Sequence, residues 1–145
     1  MAADATKGYG AVLYYGDSST VAGSTTWTAV AQVRDITLPT VEADDIDVTN
    51  QDSTGGAREY IPGLIEGGEC EFELLFKKSA VTAVYALLAT QKGWRVTVND
   101  HATADSKWEF DGYVKSFGGE IPLEDPVMCS VTIKVTGKPA FTASA

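Results

Sequence analysis

Three glutamates that alternate along one predicted strand are the residues whose type and spacing could do acid–base chemistry. Glu69, Glu71 and Glu73 share one face of this segment. The other face is apolar and consists of Cys70, Phe72, Leu74 and Phe76. Carboxylates two residues apart on a strand lie about 7 Å from each other, which suits some glycoside hydrolases. The sequence supplies no aromatic sugar cleft around them, so we expect an acidic face that borders water, with a hydrolase as the alternative.

The single histidine offers a second route to catalysis. His101 lies beside Asp100 in a polar turn, where the two could form a dyad with each other or with a distant serine. The G-x-S-x-G motif that would mark a catalytic serine is absent. We therefore expect His101 to be an exposed turn residue.

Two segments contain residues that could bind a metal ion or a phosphate group, but neither has the residue spacing of a known binding motif. The run Glu42–Asp47 is rich in carboxylate oxygens that calcium could use, but it does not follow the EF-hand pattern. The segment Gly55-Gly56-Ala57-Arg58 lacks the Walker lysine of a phosphate-binding loop. We predict no metal and no cofactor. The two glycines would let the backbone turn tightly or lie close to another chain.

The two cysteines, Cys70 and Cys129, both fall at apolar positions of alternating segments. We interpret them as buried, reduced thiols, with a disulfide as the alternative if their strands pair. The N-terminus has no apolar signal core, and no run approaches about 18 apolar residues. These features indicate a protein that is made and kept in a reducing cytoplasm.

Length and charge limit the class of protein. The chain has 145 residues, of which 44% are hydrophobic, and a formal net charge of −9. This length suits one domain, 1–145, with an ordinary core. Such a negative surface repels phosphate backbones, which argues against tight nucleic-acid binding but suits a channel through which DNA slides.

Alternation of apolar and polar residues predicts strands at 9–15, 27–38, 44–49, 69–76, 94–98, 108–117 and 127–136. A helix is predicted over Ala80–Lys92, with Ser79 as its N-cap and Gly93 after its end. Its apolar stripe is Val81, Val84, Tyr85 and Leu88. Gly118 and Gly119 should break the strand before them. The order favours a mainly β fold, an antiparallel β-sandwich or barrel with one flanking α-helix and a long extended loop.

That extended loop, Thr40–Gly68, is the most unusual segment. Seven acids stand against a single cation, Arg58: Glu42, Asp44, Asp45, Asp47, Asp52, Glu59 and Glu66. The segment also contains Ile46, Val48, Tyr60, Ile61, Leu64 and Ile65, which need to be buried. Loops this long are usually functional or disordered. We predict an arm that leaves its own domain to pack on a neighbouring subunit, where Arg58 pairs with a carboxylate across the interface.

The segment from Val33 to Leu74 resembles the signature region of tail tube proteins, the major tail proteins of long, non-contractile-tailed bacteriophages. The matching elements are Val33–Ile36, Ala43–Thr49, Asp52-Ser53, Gly55-Gly56, Arg58–Leu64 and Gly67–Glu69. Two later segments, Trp108–Val114 and Ser130–Pro139, also resemble the family. The resemblance covers roughly Gly8 to Pro139.

The resemblance implies a structural, non-enzymatic virion protein that forms hexameric rings. The rings would stack into a tube with a continuous inner β-barrel, through which viral DNA passes into the host. It also implies that the arm contacts an adjacent ring or subunit. The arm residues of interest are Asp44, Asp45, Asp47, Asp52, Gly55, Gly56, Arg58, Tyr60, Ile61 and Pro62. Expected partners are further copies of the chain, the tape measure protein, the tail terminator and tail-tip initiator proteins.

Five acids are expected to face the lumen of such a tube: Glu69, Glu71, Glu73, Glu109 and Asp111. An acidic lumen would keep DNA from adhering during ejection. The alternative function is a β-sandwich module that binds carbohydrate or a cell surface. An exposed aromatic platform with calcium-dependent sugar binding would distinguish that module from a tube subunit.

Overall fold

The computed structural model describes residues 10–99 and 106–143. Its elements in chain order are β1 (Val12–Gly16), β2 (Trp27–Ala29), β3 (Val33–Thr37), β4 (Glu42–Asp47), β5 (Tyr60–Glu66), β6 (Glu69–Leu75), α1 (Lys78–Ala86), β7 (Gln91–Val98), β8 (Ser106–Glu120) and β9 (Met128–Thr142). Seven strands form one antiparallel sheet in the order β2-β1-β7-β8-β9-β6-β3, and β4 pairs with β5 in a separate hairpin. The predicted antiparallel β fold with one helix is confirmed.

The sheet curls until its two edges approach each other. Its edge strands, β2 and β3, are separated by only the three residues 30–32. A flat seven-stranded sheet would hold its edges about 29 Å apart, whereas this connection spans at most about 14 Å. The connection also bonds to both sides, because Val30 N–H donates to the Leu13 carbonyl and Leu75 N–H donates to the Gln32 carbonyl. The result is a nearly closed barrel.

The single strand predicted at 27–38 is therefore wrong. Gln32 has a φ of 63°, which breaks the extended backbone between β2 and β3. Each half then pairs with a different neighbour, β2 with β1 and β3 with β6. The alternation across the break does not belong to one strand, because Trp27 and Ala29 of β2 lie on the outer face with Arg95, whereas Val33 and Ile36 of β3 pack against the core.

The core fills the concave side of the sheet, and α1 packs against it. Its members are Leu13, Val30, Cys70, Phe72, Leu74, Ala80, Val84, Leu87, Trp94, Val96, Phe110, Val114, Cys129, Val131, Ile133 and Val135. The alternation predicted for β6 and β9, and for β8 as far as Val114, points inward as expected, whereas a bulge after Val114 turns Phe117 toward the core and Ser116 outward. Phe76 is an exception. It follows the end of β6 and remains 58% exposed, so its assignment to the core is wrong.

The helix is shorter than predicted and differently capped. Lys77, not Ser79, occupies the N-cap position, and no side chain caps the helix. Ala89 adopts a φ of 61° and donates its N–H to the Val114 carbonyl of β8 at 3.0 Å. This bond draws the chain into the sheet, so β7 begins at Gln91. Leu87 is buried in place of the predicted Leu88 and Tyr85, which are 40% and 60% exposed.

Two strands run further than the sequence indicates. Gly118 and Gly119 pair with Ser130 and Cys129, so β8 continues to Glu120 instead of breaking. β9 continues to Thr142, where Phe141 contacts Trp108 with ring centroids 4.8 Å apart. Hydrogen bonds to a long partner strand hold these extensions in place. The described helix is too short to cross a membrane.

The cysteines are buried free thiols, as predicted. Cys70 pairs in register with Ile133, and Cys129 pairs with Leu74. The thiols are thus four residues apart along adjacent strands, about 14 Å, too far for a disulfide. The disulfide alternative is wrong. Burial, with a contribution from the Glu71 carboxylate, raises the pKa of Cys70 from 9.0 to about 12.

Candidate assembly surface

The predicted arm is an ordered β-hairpin. Its register places Asp45 opposite Pro62, Ile46 opposite Ile61, and Asp47 opposite Tyr60. Most of the residues singled out in the arm are thereby brought together on one two-stranded ribbon. A bulge between Ala43 and Asp45 shifts the register where the longer β5 accommodates an extra residue. Hairpin pairing was missed at β5 because Pro62 and Gly63 obscure the strand pattern.

The hairpin leaves apolar side chains open to solvent on both of its faces. Ile46 and Ile61 share one face and are each 47% exposed, while Tyr60 on the other face is 56% exposed. Leu64, beside the bulge, is 84% exposed. A two-stranded ribbon is marginally stable alone in water, and solvent exposure of this much apolar surface marks an interaction site.

Side chains tie the tip of the hairpin to its own backbone. The Ser53 hydroxyl donates to a Glu59 carboxylate oxygen at 2.9 Å, and Asp52 N–H donates to Asn50 Oδ1 at 2.8 Å. Gly55 and Gly56 both have positive φ, 69° and 68°, and a Cβ added at either position would meet no described atom within 4 Å. These positive φ values suit a tight turn, and close approach of the two glycines to another chain stays a prediction.

Arg58 has a partner within its own hairpin. Its guanidinium lies 3.1 Å from Asp47 Oδ2, and both side chains are largely exposed. The expected pairing across an interface is thus replaced, in the isolated chain, by a bond that closes the tip. Two bonds from Thr49, through its side chain and its backbone N–H, together with Arg58, hold the pKa of Asp47 below its ordinary value of 3.8.

This bond pattern predicts an acid-sensitive tip. Because the folded-state pKa of Asp47 is depressed, its stabilising contribution is fully present above about pH 4 and is lost as the pH falls through the folded-state pKa. We expect amide hydrogen exchange at Thr49 to accelerate below that pH, once the intrinsic pH dependence of exchange is removed. Asp47→Asn should exchange quickly already at neutral pH. Equal protection of Thr49 in both proteins would contradict the prediction.

The base of the hairpin is held against β9. Lys134 Nζ lies 3.7 Å from a Glu66 carboxylate oxygen. A Cβ on Gly67 would lie 2.5 Å from the Gly137 carbonyl oxygen, so only glycine permits this close approach. The anchored base and the exposed ribbon together make a projecting element with a defined direction.

The five acids predicted to face a lumen have different surroundings. Glu69 is bonded to Lys115 Nζ at 2.6 Å, and Glu109 pairs with Arg95 at 3.0 Å. Asp111 accepts the backbone N–H of Val21 at 2.7 Å. The Lys115 bond lowers the pKa of Glu69 below its ordinary value, and Glu69 in turn raises the pKa of Lys115.

Glu71 and Glu73 form no ion pair with the residues at 10–99 and 106–143. They line a shallow cavity of about 400 Å³ together with Asp35, Thr37, Ser130 and Thr132. The side chains that give this cavity its charge are all acidic. This part of the outer sheet is therefore the strongly negative patch, whereas the Glu69 end is largely neutralised.

The remaining candidates supply no site in the described part of the chain. Asp100 and His101 lie outside the described residues. Within the described ranges, no three His, Cys, Asp or Glu side chains are grouped so as to hold a metal ion. The acids of Glu42–Asp47 alternate across the two faces of β4, which disperses their oxygens.

Two further exposed apolar groups escaped the sequence analysis. Ile121 and Leu123, in the loop between β8 and β9, are 86% and 100% exposed. Phe76 and Tyr85 are exposed beside α1, where their periodicity indicated the core. Pro122 and Pro126 lie within this loop and exclude regular structure there, but no sequence pattern indicated that its apolar side chains are exposed.

The model of the family described as "Lambda phage tail tube protein, TTP" matches residues 13–142. The chain belongs to this family. It is a structural subunit of a phage tail tube and hence a component of the virion. The match extends over the whole barrel, the hairpin and the helix, and so includes the residues on which the resemblance rests. It favours the tube subunit over the carbohydrate-binding alternative.

Solved tube structures share the fold of this tail tube protein. A chain from the tail of an empty gene transfer agent particle, refined with C6 symmetry, has a TM-score of 0.73 and 18% identity, covering 96% of this chain and 100% of its own. The SPP1 tail tube has a TM-score of 0.67 and 12% identity, covering 97% and 80%. A sheath/tube terminator of an extracellular contractile injection system has a TM-score of 0.73 and 11% identity, covering 99% and 100%. No curated protein matches the sequence.

Proposed function

We propose that this tail tube protein assembles into hexameric rings that stack into a hollow tube, and that viral DNA passes through the tube during ejection. The single observation that carries the proposal is the projecting hairpin with exposed apolar residues on both faces. The family assignment supports it, as does the C6 symmetry used for the related gene transfer agent tail. Stacking by unlike surfaces produces an open filament instead of a closed particle.

The hairpin is the inter-subunit arm of this proposal, and residues 1–145 form one domain from which it extends. Covering Tyr60, Ile61 and Leu64 would remove apolar surface from water, at about 25 cal/mol per Å². In the free subunit both faces of the hairpin are exposed to solvent. Docking at the end of a growing tube therefore supplies stabilisation that an isolated subunit lacks, which restrains premature association.

The acidic outer face of the sheet is our candidate for the lumen. Glu71 and Glu73 supply unpaired negative charge there, and Glu69 lies beside them on β6. Glu109 and Asp111 lie further along the same outer face, on β8. A negative wall repels the phosphate backbone, so DNA would slide without binding.

The protein acts without catalysis in this proposal, as a structural part and not as an enzyme. Its main partner is a further copy of itself. The tape measure protein would occupy the tube during assembly, and terminator and tail-tip initiator proteins would bind its two ends. The host cytoplasm is the place of assembly. The likeness to a tube terminator of another system supports the view that the ends are closed by related folds.

Negative-stain electron microscopy of the purified protein, with its mass measured by light scattering, tests the proposal. We expect rings or tubes with a central channel and sixfold averages. Glu71→Lys and Glu73→Lys together should leave tubes intact but make them retain DNA. Particles without a channel, or a ring of another order, would contradict the proposed assembly.

A further inference from the structure

We propose that the outer face of α1 is the surface on which the hairpin of a neighbouring copy docks. We call this surface the helix face and define it by Phe76, Lys77, Lys78, Thr82, Tyr85 and Leu88. The inference deepens the proposed function and rests on it. It names the receiving surface that an inter-subunit arm requires.

The helix face is apolar where a surface helix is usually polar. Phe76 and Tyr85 are 58% and 60% exposed, and Leu88 is 40% exposed. Tyr85 is held by an edge-on contact with Phe117, with ring centroids 5.6 Å apart. The ring is thus positioned by the barrel while its remaining surface faces solvent. Large aromatic side chains that are fixed in this way are typical anchors of protein interfaces.

The charge of the helix face is the opposite of the charge of the hairpin. From Phe76 to Leu88, the segment that supplies the helix face, the sequence contains Lys77 and Lys78 and no carboxylate. The hairpin segment carries seven carboxylates and the single Arg58. An apolar and acidic ribbon therefore complements an apolar and basic helix, and complementarity of this kind selects the partner and its orientation.

A surface depression provides a place for a side chain between the lysines and the helix. It has a volume of about 580 Å³ and is lined by Lys77, Lys78, Ser79, Thr82 and Ala83. Small residues on the helix leave this space open. An exposed hairpin side chain such as Leu64 would enter it while neighbouring carboxylates meet the two ammonium groups.

The hairpin and the helix face lie toward opposite ends of the barrel. β6 joins them, with the hairpin base at its start, Glu69, and the lysines just after its end, Leu75. Six residue steps of strand separate those ends by about 20 Å. The hairpin of one copy therefore reaches the helix face of the next copy, a head-to-tail contact that repeats along a tube.

Zero-length carbodiimide cross-linking of assembled tubes tests the contact directly. Tubes are formed from equal parts of ¹⁵N-labelled and unlabelled wild-type protein, so that inter-subunit links give mixed isotope patterns in mass spectrometry. We expect mixed links from Lys77 or Lys78 to hairpin carboxylates. Tubes whose hairpin links go to other lysines would overturn the helix face and leave the proposed function standing. Failure to form tubes would instead overturn the proposed self-assembly and this contact with it.

Charge exchange provides a second test. Lys77→Glu with Lys78→Glu should raise the protein concentration needed for assembly at least about tenfold, because attraction becomes repulsion. Asp44 and Asp45 lie on opposite faces of β4, so Asp44→Lys with Asp45→Lys alters whichever face docks. Combining the four substitutions should restore assembly toward wild type. The matched control is Lys138→Glu, at an exposed lysine outside the helix face. Equal loss in the control, or no recovery in the combination, would overturn the proposal.

Discussion

Deletion of residues Asp52–Arg58 is expected to leave a folded monomer that does not grow tubes. The deleted tip lies beyond β4 and β5 and contributes no buried side chain to the barrel. The bond from Val48 N–H to the Glu59 carbonyl remains available to close the shortened hairpin. Folding should therefore survive, while an assembly contact made by the arm is lost.

The same outcome is expected for Arg58→Glu. This substitution removes the 3.1 Å pair with Asp47 and places a second negative charge beside it. The tip then splays by like-charge repulsion, which disturbs the arm without touching the core. Arg58→Lys keeps the charge and serves as the conservative control, with assembly close to wild type.

Circular dichroism and thermal unfolding measure the fold of these variants, and electron microscopy measures their tubes. Monomers should unfold within a few degrees of wild type, and tube mass should fall to background. Normal tubes from the deletion variant would show that the arm is dispensable. A deletion variant that is unfolded would show that the hairpin belongs to the cooperative core.

Trp94→Ala is expected to lower the free energy of unfolding by about 3–5 kcal/mol. Trp94 is fully buried on β7, and its indole N–H donates to the Gly112 carbonyl of β8 at 3.1 Å. Its ring lies 6.1 Å from that of Tyr15 on β1. The substitution therefore opens a large cavity between three adjacent strands and leaves a buried carbonyl without its donor.

Urea unfolding followed by circular dichroism measures this loss. Trp94→Phe restores much of the side-chain volume but not the indole N–H donor. It should therefore lower the free energy of unfolding less than Trp94→Ala. The matched control is Trp27→Ala on the edge strand β2, where the ring is half-buried and covered by Arg95 at 4.1 Å. Because the Trp27 ring is already partly exposed to water, Trp27→Ala should lower the free energy of unfolding much less than Trp94→Ala. Equal destabilisation by the two alanine variants would contradict the placement of the core.

Prediction from the sequence succeeded where the local pattern and the tertiary environment agreed. β6 alternates strictly because one face of this strand meets the core and the other meets water, and it was placed to within a residue. Cys70 and Cys129 were assigned as buried thiols for the same reason. The segment Thr40–Gly68 was expected to extend from its own domain, and it forms a hairpin outside the seven-stranded sheet; that this hairpin packs on a neighbouring subunit stays a prediction.

Prediction failed where a distant strand decided the local structure. The helix ended early because Ala89 bonds to Val114, which is 25 positions later in the sequence. β8 passed through Gly118 and Gly119 because β9 pairs with them. β2 and β3 separated because they join opposite edges of a curled sheet. These pairing partners are distant in the sequence, so they lie outside the short stretch of residues from which a strand or helix periodicity is read.

By itself the sequence determined the class of fold, the single helix, the acidic charge and the arm with its family signature, because each depends on composition or short-range alternation. Only the tertiary structure decided that the arm is a hairpin, that Arg58 closes its tip, and that Phe76 and Tyr85 face solvent. Those facts depend on strand register and on the closure of the barrel, which fix where each side chain ends relative to residues far away along the chain. The sequence therefore determines which charged and apolar residues the subunit carries, whereas the folded barrel determines which of them are exposed on the free subunit.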